Sequence, residues 1–148
     1  MGLEIERKFL VKKELLPKQL PEGDELEQGY LSVEPTVRVR LVTGHDGTRH
    51  AELTIKGRGQ VSRPEFNYPI PHEDAEALLR MCSRTLRKVR RELGRFTLDH
   101  FRERDLWLAE IELGDERESF ESPAWLAEEV THDPEYSNAR LATPRRAR

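Results

Sequence analysis

The chain of 148 residues holds one cysteine, Cys82, which excludes an intramolecular disulfide and fits a reducing compartment. It has no apolar run near the roughly 20 residues that a membrane-crossing helix needs. Acids stand at its N-terminus, where a signal peptide would carry a basic and then an apolar region. A cytoplasmic protein with no membrane association is therefore expected. The five histidines, His45, His50, His72, His100 and His132, are scattered without metal-ligand spacing. No Gly-x-Ser-x-Gly elbow occurs, and Gly57-Arg58-Gly59 lacks the Gly-Lys-Ser/Thr ending of a phosphate loop, which makes it a turn. Repeats and low-complexity stretches are absent. What fills the sequence instead is charge of both signs.

Charged residues make up 36% of the chain, equal to the hydrophobic share, against about 25% in an average globular domain. The 25 basic and 28 acidic residues nearly cancel to -3, a balance that predicts neither general nucleic-acid affinity nor an acidic tail. The excess must lie on a solvated surface or line something. Its order favours the second. Glu4, Glu6 and Lys8 alternate with Leu3, Ile5 and Phe9, so on a strand the three charges share a face. The device recurs in Val37-Arg38-Val39-Arg40-Leu41, Glu52-Leu53-Thr54-Ile55-Lys56, Lys88-Val89-Arg90 and Glu110-Ile111-Glu112-Leu113. One such stretch is an ordinary half-exposed strand; several suggest one shared polar surface.

The length fits a single domain over residues 1–148. Further strands are expected at Glu27 to Ser32, Thr36 to Thr43, His50 to Lys56, Pro64 to Ile70, Thr85 to Glu92, Arg95 to Phe101 and Leu106 to Leu113, with a weaker candidate at Glu118 to Phe120. Gly44-His45-Asp46-Gly47 is a hairpin turn. A helix runs from about Glu73 to Arg84, where Cys82 takes the place of a small buried hydrophobe. Ser122 and Pro123 open a short helix to Glu128, a last helical segment lies near Tyr136 to Leu141, and the tail from Pro144 is frayed. About eight antiparallel strands with few helices make a mainly β fold of the α+β kind. Closure into a barrel would remove the exposed edges. If the charged faces turn inward, the barrel encloses a polar tunnel and helices cover its apolar outside.

The inward acids are then Glu4, Glu6, Glu52, Glu65, Asp99, Glu110 and Glu112, and the inward bases Lys8, Arg38, Arg40, Lys56, Lys88 and Arg90. Burying so many ions dry would cost several kcal/mol each, so a solvent-filled tunnel that binds ions is the consistent arrangement. Paired carboxylates without histidine or cysteine suit a hard cation such as Mg2+ or Mn2+. Facing arginines and lysines suit an extended polyanion. Together they specify a metal-chelated chain of phosphates.

These elements, in order, resemble a known family. Glu4-x-Glu6-x-Lys8, Gln28-Gly29-Tyr30-Leu31, Arg38-x-Arg40, Leu53-Thr54-Ile55-Lys56, Lys88-x-Arg90, Asp99, Glu110-x-Glu112 and Glu129-Val130-Thr131 with Asp133, Tyr136 and Asn138 are similar to the CYTH domain, or triphosphate tunnel metalloenzymes. The resemblance implies an antiparallel barrel of about eight strands around a tunnel, and compact bacterial inorganic triphosphatases as the nearest kind. It implies metal binding by Glu4, Glu6, Glu110 and Glu112, with Asp99 assisting and Glu65 in a further acidic position. Lys8, Arg38, Arg40, Lys56, Lys88 and Arg90 would hold phosphate. Tyr30 and Lys88 are the candidates for a direct part in the chemistry, with barrel packing as the alternative for Tyr30. Where members often show two alternate acids, this chain reads Glu65-Phe66-Asn67. The implied activity is metal-dependent hydrolysis of inorganic triphosphate, or of another small triphosphate, to orthophosphate. Cyclisation of ATP to cyclic AMP and non-catalytic polyphosphate or nucleotide binding stand as alternatives, and a homodimer is an open option.

Overall fold

The computed structural model describes the backbone of residues 2–59 and 62–144 and the side chains of 5–59 and 62–144. Eight antiparallel strands form the wall: β1 (Gly2–Val11), β2 (Asp24–Val33), β3 (Thr36–Thr43), β4 (Arg49–Lys56), β5 (Ser62–Ile70), β6 (Arg84–Leu93), β7 (Phe96–Phe101) and β8 (Leu106–Glu112). They pair in the order β6-β2-β3-β4-β5-β1-β8-β7, and pairing of β6 with β7 closes the circle. The expected barrel is present. Its β3–β4 hairpin turns on Gly47, whose φ of 86° lies in the left-handed region that glycine enters freely. Among the described residues, no helix is long and apolar enough to cross a membrane.

Strand β1 changes partners along its length. Its first residues pair with β5, Glu4 opposite Arg63, while Phe9 and Val11 pair with β9 (Leu126–Glu129). A helix was expected there, and only one turn of it survives, in the Leu126 N–H donating to Pro123 O at 3.0 Å. The cause is tertiary: Trp125 is buried edge-on against Phe96 and its carbonyl accepts from Lys12 N, and the chain then fills the open side of β1 as a strand. Glu118 to Phe120 is likewise not a strand, but Phe120 packs edge-on against Phe9 and Phe96.

Apolar faces of the wall point outward. Over β3 and β4 they are covered by α1 (His72–Met81), which with Cys82 packs Ala75 and Leu79 onto Val39, Leu41 and Ala51. Glu73 and Asp74 in the first turn of α1 complement its dipole. Over β1, β7 and β8 the cover is Phe120 and Trp125. A third cluster lies on the inward register, where Leu10, Leu86, Phe101 and Leu108 meet Leu141 and Ala142 of the C-terminal segment. That segment comprises a 3-10 turn (Pro134–Tyr136), α2 (Asn138–Leu141) and β10 (Thr143–Pro144), which adds to β6. The frayed tail expected from Pro144 onward falls mainly on residues 145–148, outside the described residues.

Candidate active site

The register sets charges against one another. Glu6 stands opposite Glu112 and Lys8 opposite Glu110 across β1–β8, Arg90 opposite Asp99 across β6–β7, Arg40 opposite Glu52 across β3–β4, and Lys56 opposite Glu65 across β4–β5. Paired positions in an antiparallel sheet put their side chains on one face, and here that face is the inside. A cavity of about 280 Å³ results, lined on one side by Glu6, Lys8, Glu110, Glu112 and Arg90 and on the other by Arg38, Arg40, Glu52, Lys56, Arg63 and Glu65. Tyr30, Thr36, Asn67, Thr97 and residues Ser137 to Ala139 complete it.

The carboxylate side is tightly coupled. Glu110 lies within hydrogen-bonding reach of Glu6. Burial alone would raise the Glu110 pKa, but Lys8 foremost, then the Glu6 contact, Arg90 and Lys88 hold it well below the usual carboxylate range. Two carboxyl groups in contact, with Glu110 held ionised, suit a hard divalent cation that would replace the proton between them. Among the described residues no three acidic, histidine or cysteine side chains are gathered closely enough to enclose an ion unaided. The Glu4 side chain lies outside the described residues; its backbone sits two positions before Glu6 on β1.

The basic side is built for oxygen ligands. Arg38, 6% exposed, donates from Nη2 to Thr54 Oγ1 at 3.0 Å and lies 3.4 Å from Glu52, but its buried Nε has no hydrogen-bond partner among the described residues. An orphaned buried donor costs about 1–3 kcal/mol. Arg40 donates from Nε to Gln28 Oε1 at 2.9 Å. Burial, then Arg38 and Arg90, bring the Arg40 pKa down to about 9. Lys56 pairs with Glu65 at 3.1 Å, and Asn67 donates to Glu65 at 2.8 Å. Asn67 therefore braces the acid beside it.

Lys88 and Asp99 lie one layer behind the lining. Asp99, 2% exposed, accepts Nε and Nη2 of Arg90 at 2.8 Å each and sits 2.7 Å from Lys88 Nζ. Burial would raise its pKa, but Lys88 and Arg90 take it down to about 2. Lys88 also donates to Asn138 Oδ1 at 3.1 Å and stands over the Phe101 ring, and burial brings its pKa down to about 7 against the pull of Asp99. Both Asp99 oxygens are engaged by cations, and Asp99 does not line the cavity.

The structure thus gathers Glu6, Lys8, Tyr30, Arg38, Arg40, Lys56, Glu65, Arg90, Glu110 and Glu112 around one space. Sequence reasoning missed Arg63, Thr36, Thr97 and Ser137. Arg63 directly precedes Pro64, where an edge or strand start was expected, and no charge alternation marks the others. Gly29 has a local cause: a Cβ there would lie 2.8 Å from Cys82 Sγ and 2.9 Å from its Cβ, so glycine lets the end of α1 press on β2 between Gln28 and Tyr30.

Similarity to known proteins follows the same path. The chain is 37% identical over 150 residues to an inorganic triphosphatase of Acetivibrio thermocellus, covering 95% of this chain and 94% of that one. A crystal structure of the inorganic triphosphatase NE1496 superposes with a TM-score of 0.60 at 30% identity, covering 96% of this chain and 95% of the other. A crystal structure described as the hypothetical protein NE1496 gives 0.60 at 31% identity, covering 94% and 97%. The CYTH domain pattern matches residues 2–142. With a closed barrel and a family match that spans nearly all of it, the chain belongs to the CYTH domain family.

Proposed function

We propose that this chain hydrolyses inorganic triphosphate to orthophosphate and diphosphate in the barrel cavity. The observation that carries the reading is the cavity lining, in which Arg38, Arg40, Lys56 and Arg63 on one wall face the touching carboxyl groups of Glu6 and Glu110 on the other. Arg38, Arg40, Lys56 and Arg63 would bind the phosphate chain, while Lys8 and Arg90 stabilise charge on the transferring group. Glu6, Glu110 and Glu112, with Glu4, would hold Mg2+ or Mn2+. Such an ion supplies Lewis-acid polarisation and orients the attacking water when bound. Lys88 and Asp99 serve behind the lining by fixing Arg90 and Asn138. The single cysteine supports a cytoplasmic setting, and a cavity of about 280 Å³ supports a small-molecule substrate.

Phosphate and cyclic AMP release from tripolyphosphate and ATP, with magnesium or manganese and then with excess chelator, tests the proposal. Phosphate from tripolyphosphate that chelation abolishes is expected. Cyclic AMP from ATP would establish the cyclase alternative, and binding without turnover a non-catalytic module.

A further inference from the structure

Gln28 is 0% exposed and stands on β2 two residues before Tyr30, so the two side chains share the inward face. Its carbonyl Oε1 accepts from Arg40 Nε at 2.9 Å, and its amide Nε2 donates to the Tyr30 hydroxyl oxygen at 3.1 Å. The orientation of this amide follows from chemistry. A guanidinium has donors only, so the Gln28 oxygen must face Arg40 and the NH2 group must face Tyr30. The hydroxyl oxygen of Tyr30 is thereby used as an acceptor, and its hydrogen is directed away from Gln28. Of the charged groups that act on it, Arg38 and Arg40 cannot accept it, and the acid among them, Glu110 of β8, is engaged with Glu6. Tyr30 itself lines the cavity, and a bulge in the β2–β3 pairing begins just after it. Bulges re-aim the side chains beside them.

We infer that Gln28 is a positioning residue that presets the Tyr30 hydroxyl as a hydrogen-bond donor to a phosphate oxygen in the cavity. The inference rests on the reading of the cavity as a triphosphate site. It makes Arg40–Gln28–Tyr30 one relay of fixed polarity, in which the phosphate-binding arginine sets the direction of the tyrosine's hydrogen bond. Burial raises the Tyr30 pKa, so the phenol keeps its hydrogen at neutral pH and can donate it.

Gln28→Glu is the discriminating variant. It is nearly isosteric and still accepts from Arg40, but it cannot donate to Tyr30. The phenol would turn its hydrogen onto the new carboxylate and out of the cavity. The expected result is a loss of kcat on tripolyphosphate of about tenfold or more, larger than any rise in KM from the new charge beside Arg40. Gln28→Met, which has similar length and no polar end, is expected to lose less and covers the case in which a buried carboxylate impairs folding. In a Tyr30→Phe background neither substitution should lower kcat by more than about twofold. Independently of turnover, the Tyr30 phenol, isolated as the difference between parent and Tyr30→Phe in tyrosinate absorbance, should titrate at higher pH in Gln28→Glu. Parental kcat in Gln28→Glu, or the same loss with and without Tyr30, would overturn the inference. If the parent does not hydrolyse tripolyphosphate, the functional reading fails, and the absorbance titration still decides whether Gln28 sets Tyr30.

Discussion

Arg38 and Lys56 look equivalent in the sequence, as bases at the inward positions of neighbouring strands, but their surroundings separate them. Removing Arg38 takes away an orphaned donor and leaves Glu52 with Arg40 still 3.7 Å away. Arg38→Ala should lower kcat/KM about tenfold to a hundredfold, the weight of a charge-assisted contact of roughly 1.5–3 kcal/mol, with little change in the denaturation midpoint. Lys56 neutralises Glu65, and both are largely buried. Lys56→Ala should therefore lower the midpoint as well as kcat/KM, since it removes a cation paired with a largely buried acid. Parental kinetics in both would remove the phosphate wall from the mechanism. Glu112→Gln keeps volume but loses a charge next to the coupled pair; a folded, inactive enzyme with no response to magnesium is expected, and a fully active one would return Glu112 to the status of a rim residue. The period-two alternation made these inward positions legible. The fate of Asp99 was not, because only the register brings Arg90 opposite it and Lys88 to 2.7 Å, using up oxygens that the resemblance gives to a metal.

Strands were readable where charge and apolarity alternate, and unreadable where pairing is decided by a distant neighbour. Leu126–Glu129 is such a case: Pro123 and Ser122 carry a helix-start signal, but β1 outruns β5 and needs a partner for Phe9 and Val11. A helical segment near Tyr136 to Leu141 is expected from the sequence, and the structure caps its two turns with Asp133 and Ser137, which accept from Glu135 N and Arg140 N. What those turns do is not legible in the sequence. Leu141 is buried in the inward cluster with Phe101 and Leu108, while Asn138 of the same short helix reaches Lys88. Leu141→Ala should cost about 2–5 kcal/mol, as for other large-to-small core changes, and should raise KM by loosening Ser137 to Ala139 on the cavity wall. Chemical denaturation together with steady-state kinetics checks both; an unchanged midpoint would mean that α2 does not anchor the interior.

The barrel carries its charge pairs in its middle, which gives the whole molecule a defined response to acid. The folded-state pKa of Asp99 lies at about 2, below the ordinary value near 3.9. Its contribution, on the order of 2 kcal/mol, is present above the unfolded value and is lost as pH falls towards 2. Glu110 shifts in the same direction. Asp99→Asn leaves Lys88 and Arg90 without their partner and should be less stable than the parent at pH 7, with the difference shrinking between about pH 4 and pH 2. Denaturation midpoints across that range decide it; a constant difference would show that the charge on Asp99 is not what matters.

The described cavity lining carries six cations, Lys8, Arg38, Arg40, Lys56, Arg63 and Arg90, against five acids, Glu6, Glu52, Glu65, Glu110 and Glu112. An interior so close to electroneutrality is no sink for bare anions. A polyanion that entered alone would overdraw the available positive charge, so it must arrive with its own counter-ions. Stoichiometry then governs the apparent affinity: tripolyphosphate in excess over divalent cation should bind weakly and turn over slowly, and the rate should climb until cation matches phosphate chain, a titration that needs no variant at all.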